Sequence, residues 1–315
     1  MSEVIDILAF YQEPGLMTDV GDLFPVLEGL PADVRQLCAT VQGITAHVFW
    51  TGALGYDVSQ AQEDDVLERS ANRLLQQLLA RNGSEMNSAR AMPDRLIIDC
   101  RSYAVLLTAL LIHCGIPARA RCGFARYLSP PHSAFYEDHW ITEYWKADER
   151  RWAFADPQLD PFQCKTMSIS FDPCDLPEGQ FLPAGQAWTL CRQGRANPEQ
   201  FGYRPWVGLP IIRWQMIRDI AALNKVEALG WDHWGGMFPL EHEALLEEDI
   251  EFYDRVASLS MDNTALGQLR QIYLPDLRLR APRIVHRMDR NSNERHPMFE
   301  FSDLLDGDPC KIVLL

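Results

Sequence analysis

A cysteine at the start of a buried helix, followed by a histidine and an aspartate on consecutive strands, is an arrangement from which a thiol nucleophile can be built. Cys100 sits in the run from Asp99 to Pro117, Asp-Cys-Arg-Ser-Tyr-Ala-Val-Leu-Leu-Thr-Ala-Leu-Leu-Ile-His-Cys-Gly-Ile-Pro. Tyr103 to Ile112 is apolar except at Thr108, which leaves this helix no face for water and makes it central to a core. Asp99 can accept the unbonded amides of the first turn, Gly115 suits the position just past the helix end, and Pro117 forbids continuation. Cys100 is thus expected at the positive end of a central helix, where a thiolate is favoured. Such a nucleophile needs a base that can later act as an acid, and the base needs an orienting partner. His139, in Asp-His-Trp-Ile-Thr-Glu-Tyr (138–144), and Asp156, ending Arg-Trp-Ala-Phe-Ala-Asp (151–156), are of the right types. Asp160 and Asp138 stay open as rivals of Asp156.

The elements that must position these groups follow from periodicity. Ala118, Ala120, Cys122 and Phe124 alternate with Arg119, Arg121, Gly123 and Ala125, which predicts a strand. Residues 137–146 and 151–156 predict two more, joined by a turn at Asp148-Glu149-Arg150, so the sheet is expected to be antiparallel. If numbers of paired residues add to 295, His139 faces Asp156 directly; if they add to 297, the two are diagonal. Both registers put the two side chains on one face, and direct opposition brings Cβ atoms to roughly 5 Å.

Around this centre the spacing predicts helices over 32–50 and 59–79, the latter with Glu63, Asp64 and Asp65 early and Asn82-Gly83-Ser84 at its end. Residues 1–32 read as a loop-rich entry with one short helix, and 157–205 as irregular apart from a short helix near 185–193. An amphipathic helix is expected over 210–229, whose Arg218 and Lys225 are open to two readings, facing a substrate or lying on a solvated face. Helices over 240–260 and 263–273 follow, then a tail with Arg278, Arg280, Arg283, Arg287 and Arg290, and later Asp303, Asp306 and Asp308. The basic cluster is expected to pair with the chain's own acids.

The 315 residues carry a formal net charge of −15, which argues against nucleic acid and anionic membrane as partners. No stretch approaches the ~20 apolar residues of a membrane span, and the acidic N-terminus lacks the basic start of a secretory signal. A cytoplasmic protein is expected. The eight cysteines, Cys38, Cys100, Cys114, Cys122, Cys164, Cys174, Cys191 and Cys310, have no paired spacing and read as thiols. With no CxxC or HExxH spacing, no metal or cofactor is expected.

The motifs together are familiar. Cys100-Arg-Ser-Tyr-Ala, then Cys-Gly-Ile-Pro-Ala-Arg-Ala-Arg-Cys-Gly-Phe (114–124), then Asp-His-Trp-Ile-Thr-Glu-Tyr, then Arg-Trp-Ala-Phe-Ala-Asp-Pro (151–157) resemble the transglutaminase-like core of the papain-like cysteine-peptidase superfamily, and most of all its small bacterial members. The resemblance covers roughly 91–160. It implies Cys100 as nucleophile, His139 as base and Asp156 as orienting acid. It also implies an α+β fold, a central helix packed on an antiparallel sheet with helical additions at both ends. The boundaries expected are 1–90 for a helical N-terminal part of the same domain, 91–165 for the core and 166–315 for a loop-rich, then helical extension. By analogy with an upstream Trp or Gln in relatives, Trp50 is the candidate for a second oxyanion donor beside the Cys100 amide. One departure is Asp99, which stands where a glycine is common and whose carboxylate opposes thiolate formation while Arg101 opposes that effect. The function implied is cysteine-dependent acyl transfer on an amide of a peptide, Gln side chain or small molecule. Hydrolysis leads, with amide-forming transfer to an amine, or a non-catalytic peptide-binding scaffold, as alternatives.

Overall fold

The computed structural model describes residues 5–81, 86, 88–130, 132–240, 242, 244–288 and 299–304. At its centre Asp99, in extended backbone, ends the strand Leu96–Ile98 and starts the helix Cys100–His113. The Asp99 carboxylate accepts from the Ser102 amide at 3.0 Å and so satisfies one of the orphan first-turn donors. At the other end Gly115 takes φ +77°. Its amide donates to Ile112 O, and that of Ile116 to Leu111 O, both at 2.9 Å, which closes the helix in a Schellman motif. Arg101 to Leu111 are buried without exception, as the unbroken apolar run requires.

The chain divides into two compact units that exchange segments, residues 8–121 with 140–178, and residues 1–7 with 122–139 and 179–315. In the first, the central helix packs against the helices Val34–Ile44 and Ala71–Arg81. It also meets the strand Tyr136–Lys146, where Thr142 Oγ1 donates to Ala104 O at 3.0 Å. That strand pairs antiparallel with Arg151–Ala155, from Thr142↔Ala155 to Lys146↔Arg151. The paired numbers add to 297, the second of the two odd registers. Every residue of the strand Ala118–Ala125 is buried, Arg119 and Arg121 included. The reason lies in the side chains: Arg119 Nε and Arg121 Nη1 both donate to Glu143 Oε2 at 2.7 Å. The Arg119 guanidinium is also covered by the rings of Tyr11 and Trp152.

In the second unit, Gly123–Ala125 pairs antiparallel with Phe181–Pro183, whereas Tyr136 and Glu137 pair parallel with Phe201 and Gly202. The sheet is therefore mixed, a correction to the antiparallel sheet expected from the hairpin. A parallel partner must return by a crossover, here through the helix Ala184–Arg192, and no local turn signal marks such a pairing. The helices Ala184–Arg192, Leu209–Leu223 and Glu247–Ser260 pack on one another. Gly185 marks one crossing, because a Cβ there would collide with Ser260 and the Ala257 backbone. A small sheet joins Asp232–His233, Ile284–Met288 and Phe299–Asp303.

Four helices differ from expectation, and of these the one predicted over 240–260 begins only at Glu247. The one predicted over 32–50 stops at Ile44, and Thr45–His47 becomes a strand parallel to Leu96–Ile98; short buried strands and helices look alike by periodicity. The one predicted over 59–79 forms only from Ala71, after two short 3₁₀ turns. Its early acid Asp65 lies outside the helix, where its carboxylate accepts from the Ile97 amide and from Arg81 Nη1 at the helix end, each at 2.8 Å. The helix predicted over 210–229 ends at Leu223 and is buried from Ile211 to its end. In the tail, Arg278 pairs with Asp249 and Asp276, and Arg283 with Asp303. Asn82-Gly83-Ser84, Arg290, Asp306, Asp308 and Cys310 lie outside the described residues.

Candidate active site

Cys100 is the first residue of the central helix and is half-buried. The helix dipole favours an anion at that position. Asp99, beside it, works in the opposite direction. Burial raises the Asp99 pKa above the usual carboxylate range, against the lowering by the Ser102 amide and Arg101. Asparagine caps a helix as well as aspartate does but carries no charge. Asp99→Asn is therefore expected to speed alkylation of Cys100 by iodoacetamide at pH 7 while leaving the melting temperature near that of the wild type. An unchanged rate would show that the carboxylate does not bear on the thiol.

Asp156 follows directly on the strand Arg151–Ala155 and is fully buried. Its amide donates to Pro173 O at 2.8 Å, and its Oδ1 accepts from the Gln158 amide at 3.0 Å. Of its rivals, Asp160 caps the helix Pro161–Thr166 by accepting from the Gln163 amide at 2.7 Å, and Asp138 accepts from Gln215 Nε2 at 2.8 Å. His139 lies on the strand Tyr136–Lys146, buried, with the Tyr127 ring edge-on at 6.0 Å. Cys100 and Asp156 belong to one compact unit. His139 is the last residue that the strand contributes to the other, and Trp140 the first after the strand's return. Trp50 stands in the turn after Thr45–His47, a strand whose His47 pairs with Ile98, two residues before Cys100. The Trp50 ring meets Phe162 edge-on at 6.1 Å.

Several of the other thiols are shifted by their surroundings. Burial pushes the pKa of Cys114 and Cys164 up and that of Cys191 up to about 12. Cys38 is raised by a hydrogen bond with Cys174 and by burial, and Cys174 is lowered by the same bond but lies buried. Among the described residues no group of His, Cys, Asp and Glu is arranged to hold a metal ion. No helix among them is long and apolar enough to cross a membrane.

Residues 59–157 match the family model of the transglutaminase-like superfamily, and this span includes Cys100, His139 and Asp156. The segment is thus similar to a transglutaminase-like core. No curated protein and no solved structure is significantly similar to the chain. The superfamily consists in general of cysteine hydrolases and acyltransferases, and the mixed helix-and-sheet fold agrees with an α+β transglutaminase-like core. The match starts well before the motifs quoted above, at Ser59, and so takes in the helix Ala71–Arg81 that packs on the central helix.

Outside the matched segment, the helix Leu209–Leu223 corrects both readings of Arg218. Arg218 is 1% exposed, so it neither faces solvent nor presents an open cation to a substrate. Lys225 falls beyond the helix, at φ +66°. The interior polar chain that Gln215 and Arg218 form leaves one local trace in the sequence, the i, i+3 spacing of those two residues.

Proposed function

We propose that the chain is a cysteine-dependent hydrolase of amide bonds that works through an acyl-enzyme on Cys100. The observation that carries this reading is the match of residues 59–157 to a superfamily of cysteine enzymes, within which all three chemically suited residues fall. Two features support it. Cys100 is the half-buried first residue of the central helix, at its positive end, and the odd register of the 142–146/151–155 ladder is the parity that a His139–Asp156 pairing needs.

In the proposed reaction the Cys100 thiolate attacks the amide carbon, and the carbonyl electrons move onto oxygen. The Cys100 amide, at the helix start, is one donor for that oxyanion, and Trp50 is proposed for the second. His139, oriented by Asp156, protonates the departing amine as the C–N bond breaks. Water then attacks the thioester, giving up its proton to His139, and releases the acid and the thiolate. The proposed substrate is a peptide or small amide.

Two experiments test this. Iodoacetamide should modify Cys100 faster than every other cysteine, with a midpoint below the ~8.5 of an ordinary thiol; equal labelling of all accessible thiols would sink the proposal. A panel of peptides, glutamine amides and amine acceptors, scored for released ammonia, cut peptide and incorporated amine, should give hydrolysis. Amine incorporation that outpaces hydrolysis would convert the assignment to a transferase.

A further inference from the structure

We propose that Gln215 and Arg218 are positioning residues for His139, acting through Asp138. The inference rests on the proposed role of His139 as the base. It starts from the helix Leu209–Leu223, which is buried although it carries Arg213, Gln215, Arg218 and Asp219. Buried polar side chains are costly unless they are satisfied, and a satisfied network fixes one arrangement.

The bonds meet at Gln215. Gln215 Nε2 donates to Asp138 Oδ2 at 2.8 Å. Gln215 Oε1 accepts from Arg218 Nη1 and from the Cys122 thiol, each at 3.1 Å. Arg218 also donates to Asp232 O, at 3.2 Å from Nε and 2.9 Å from Nη2, and its Nη2 lies against the His233 ring. Burial lowers the Arg218 pKa, and Cys122, Asp232 and Asp138 oppose that. Burial and Arg218 together hold His233 well below the usual histidine range, so it adds no second cation. A glutamine suits this place because its amide has a donor at one end for the carboxylate and an acceptor at the other for the guanidinium. The helix is itself fixed by Trp214 Nε1, which donates to Met237 O at 2.9 Å.

Asp138 is where this network grips the strand. The parallel ladder to Phe201 and Gly202 ends at Glu137, and on that edge Asp138 is the next residue. Successive side chains of a strand point to opposite faces. A carboxylate bonded on one face at 138 therefore fixes the height and rotation of the backbone from which His139 projects on the other.

The test measures iodoacetamide alkylation of Cys100 at pH 7 in the full chain, with a melting curve for each variant. Gln215→Leu and Asp138→Ala should each slow alkylation roughly tenfold, the scale of a base displaced by a fraction of an ångström. Asp138→Asn, which keeps an acceptor for Gln215, should restore most of the rate. In a His139→Ala background, already slow, Gln215→Leu should change nothing further. Equal slowing in that background, or full-rate labelling in folded Gln215→Leu, overturns the proposal. If Gln215→Leu does not fold, the Asp138→Ala and Asp138→Asn pair decides by the same criteria, since Asp138 is only half-buried. A His139→Ala variant that labels at the wild-type rate removes the base assignment itself. A slow His139→Ala beside a fast Gln215→Leu removes only the positioning role.

Discussion

Replacing Cys100 by alanine should reduce turnover of the responsive substrate by roughly 10³-fold or more, the usual scale for removing a nucleophile. Serine should do almost as badly. Its hydroxyl fits the site, but no thiolate forms, and a base matched to a thiol does not ionise an alcohol. His139→Ala should cost a similar factor, and the double variant little more than either single one, because groups that work as one unit are not additive. This non-additivity separates the acyl-enzyme reading from the scaffold alternative. A peptide-binding scaffold predicts that Cys100→Ala binds and behaves as the wild type does. The measurement is steady-state turnover on the best substrate of the panel, with intact mass of a trapped acyl adduct as a second readout. The adduct should add the acyl mass to wild-type chains alone, and its appearance on Cys100→Ala would move the nucleophile elsewhere.

The central helix was legible because every signal that defines it is local. Asp99, the apolar run, Gly115 and Pro117 lie within twenty residues, and each acts on its own neighbours. The hairpin of 136–146 and 151–155 was legible for the same reason, since a turn of few residues ties its register to the sequence. Misreadings cluster where a side chain serves an element far away in the chain. Asp65 looks like a first-turn acid of a helix, yet its partner is the Ile97 amide. Arg119 and Arg121 look like the wet face of a strand, yet Glu143 and two aromatic rings enclose them. Gln215 and Arg218 look like the polar stripe of an amphipathic helix, yet they bond to Asp138 and Asp232. A hydrophobic period registers what is apolar. It does not tell a polar residue that meets water from one that meets a buried partner. The candidate site was read from three residue types in order, whereas Trp50, proposed as the second oxyanion donor, stands in a turn whose side-chain directions no period encodes.

Glu143→Ala should be strongly destabilising in the unit that contains the central helix. Glu143 Oε2 accepts from both Arg119 and Arg121 at 2.7 Å, and the side chains of all three are less than a tenth exposed. Burial alone would raise the Glu143 pKa, but the two guanidinium groups more than offset it, so the carboxyl lies below its usual range. Removing the carboxylate leaves two buried cations facing each other, a loss of about 3–5 kcal/mol. The comparison is Arg35→Ala, which breaks an ion pair with Asp172 whose arginine side chain is 65% exposed; surface pairs are worth about 0–1 kcal/mol. The acid dependence has a definite sign. Because the folded pKa of Glu143 is depressed, its contribution is complete above the unfolded carboxyl pKa of about 4.3 and is lost as pH falls through the folded value. Wild type and Glu143→Gln should therefore differ most in urea midpoint near pH 7 and converge as pH drops below about 4. A constant gap across that range would mean that shape, not charge, makes the difference. A third variant addresses whether the triad stabilises the fold at all. Arg119→Met/Arg121→Met/Glu143→Leu removes all three charges at once, and by the general behaviour of buried ion clusters it should melt at or above the wild-type temperature. That outcome, beside a strongly destabilised Glu143→Ala, would mean that the cluster is costly to break without being what holds the sheet together. The strand would then keep it for the single register that two arginines sharing one carboxylate oxygen impose.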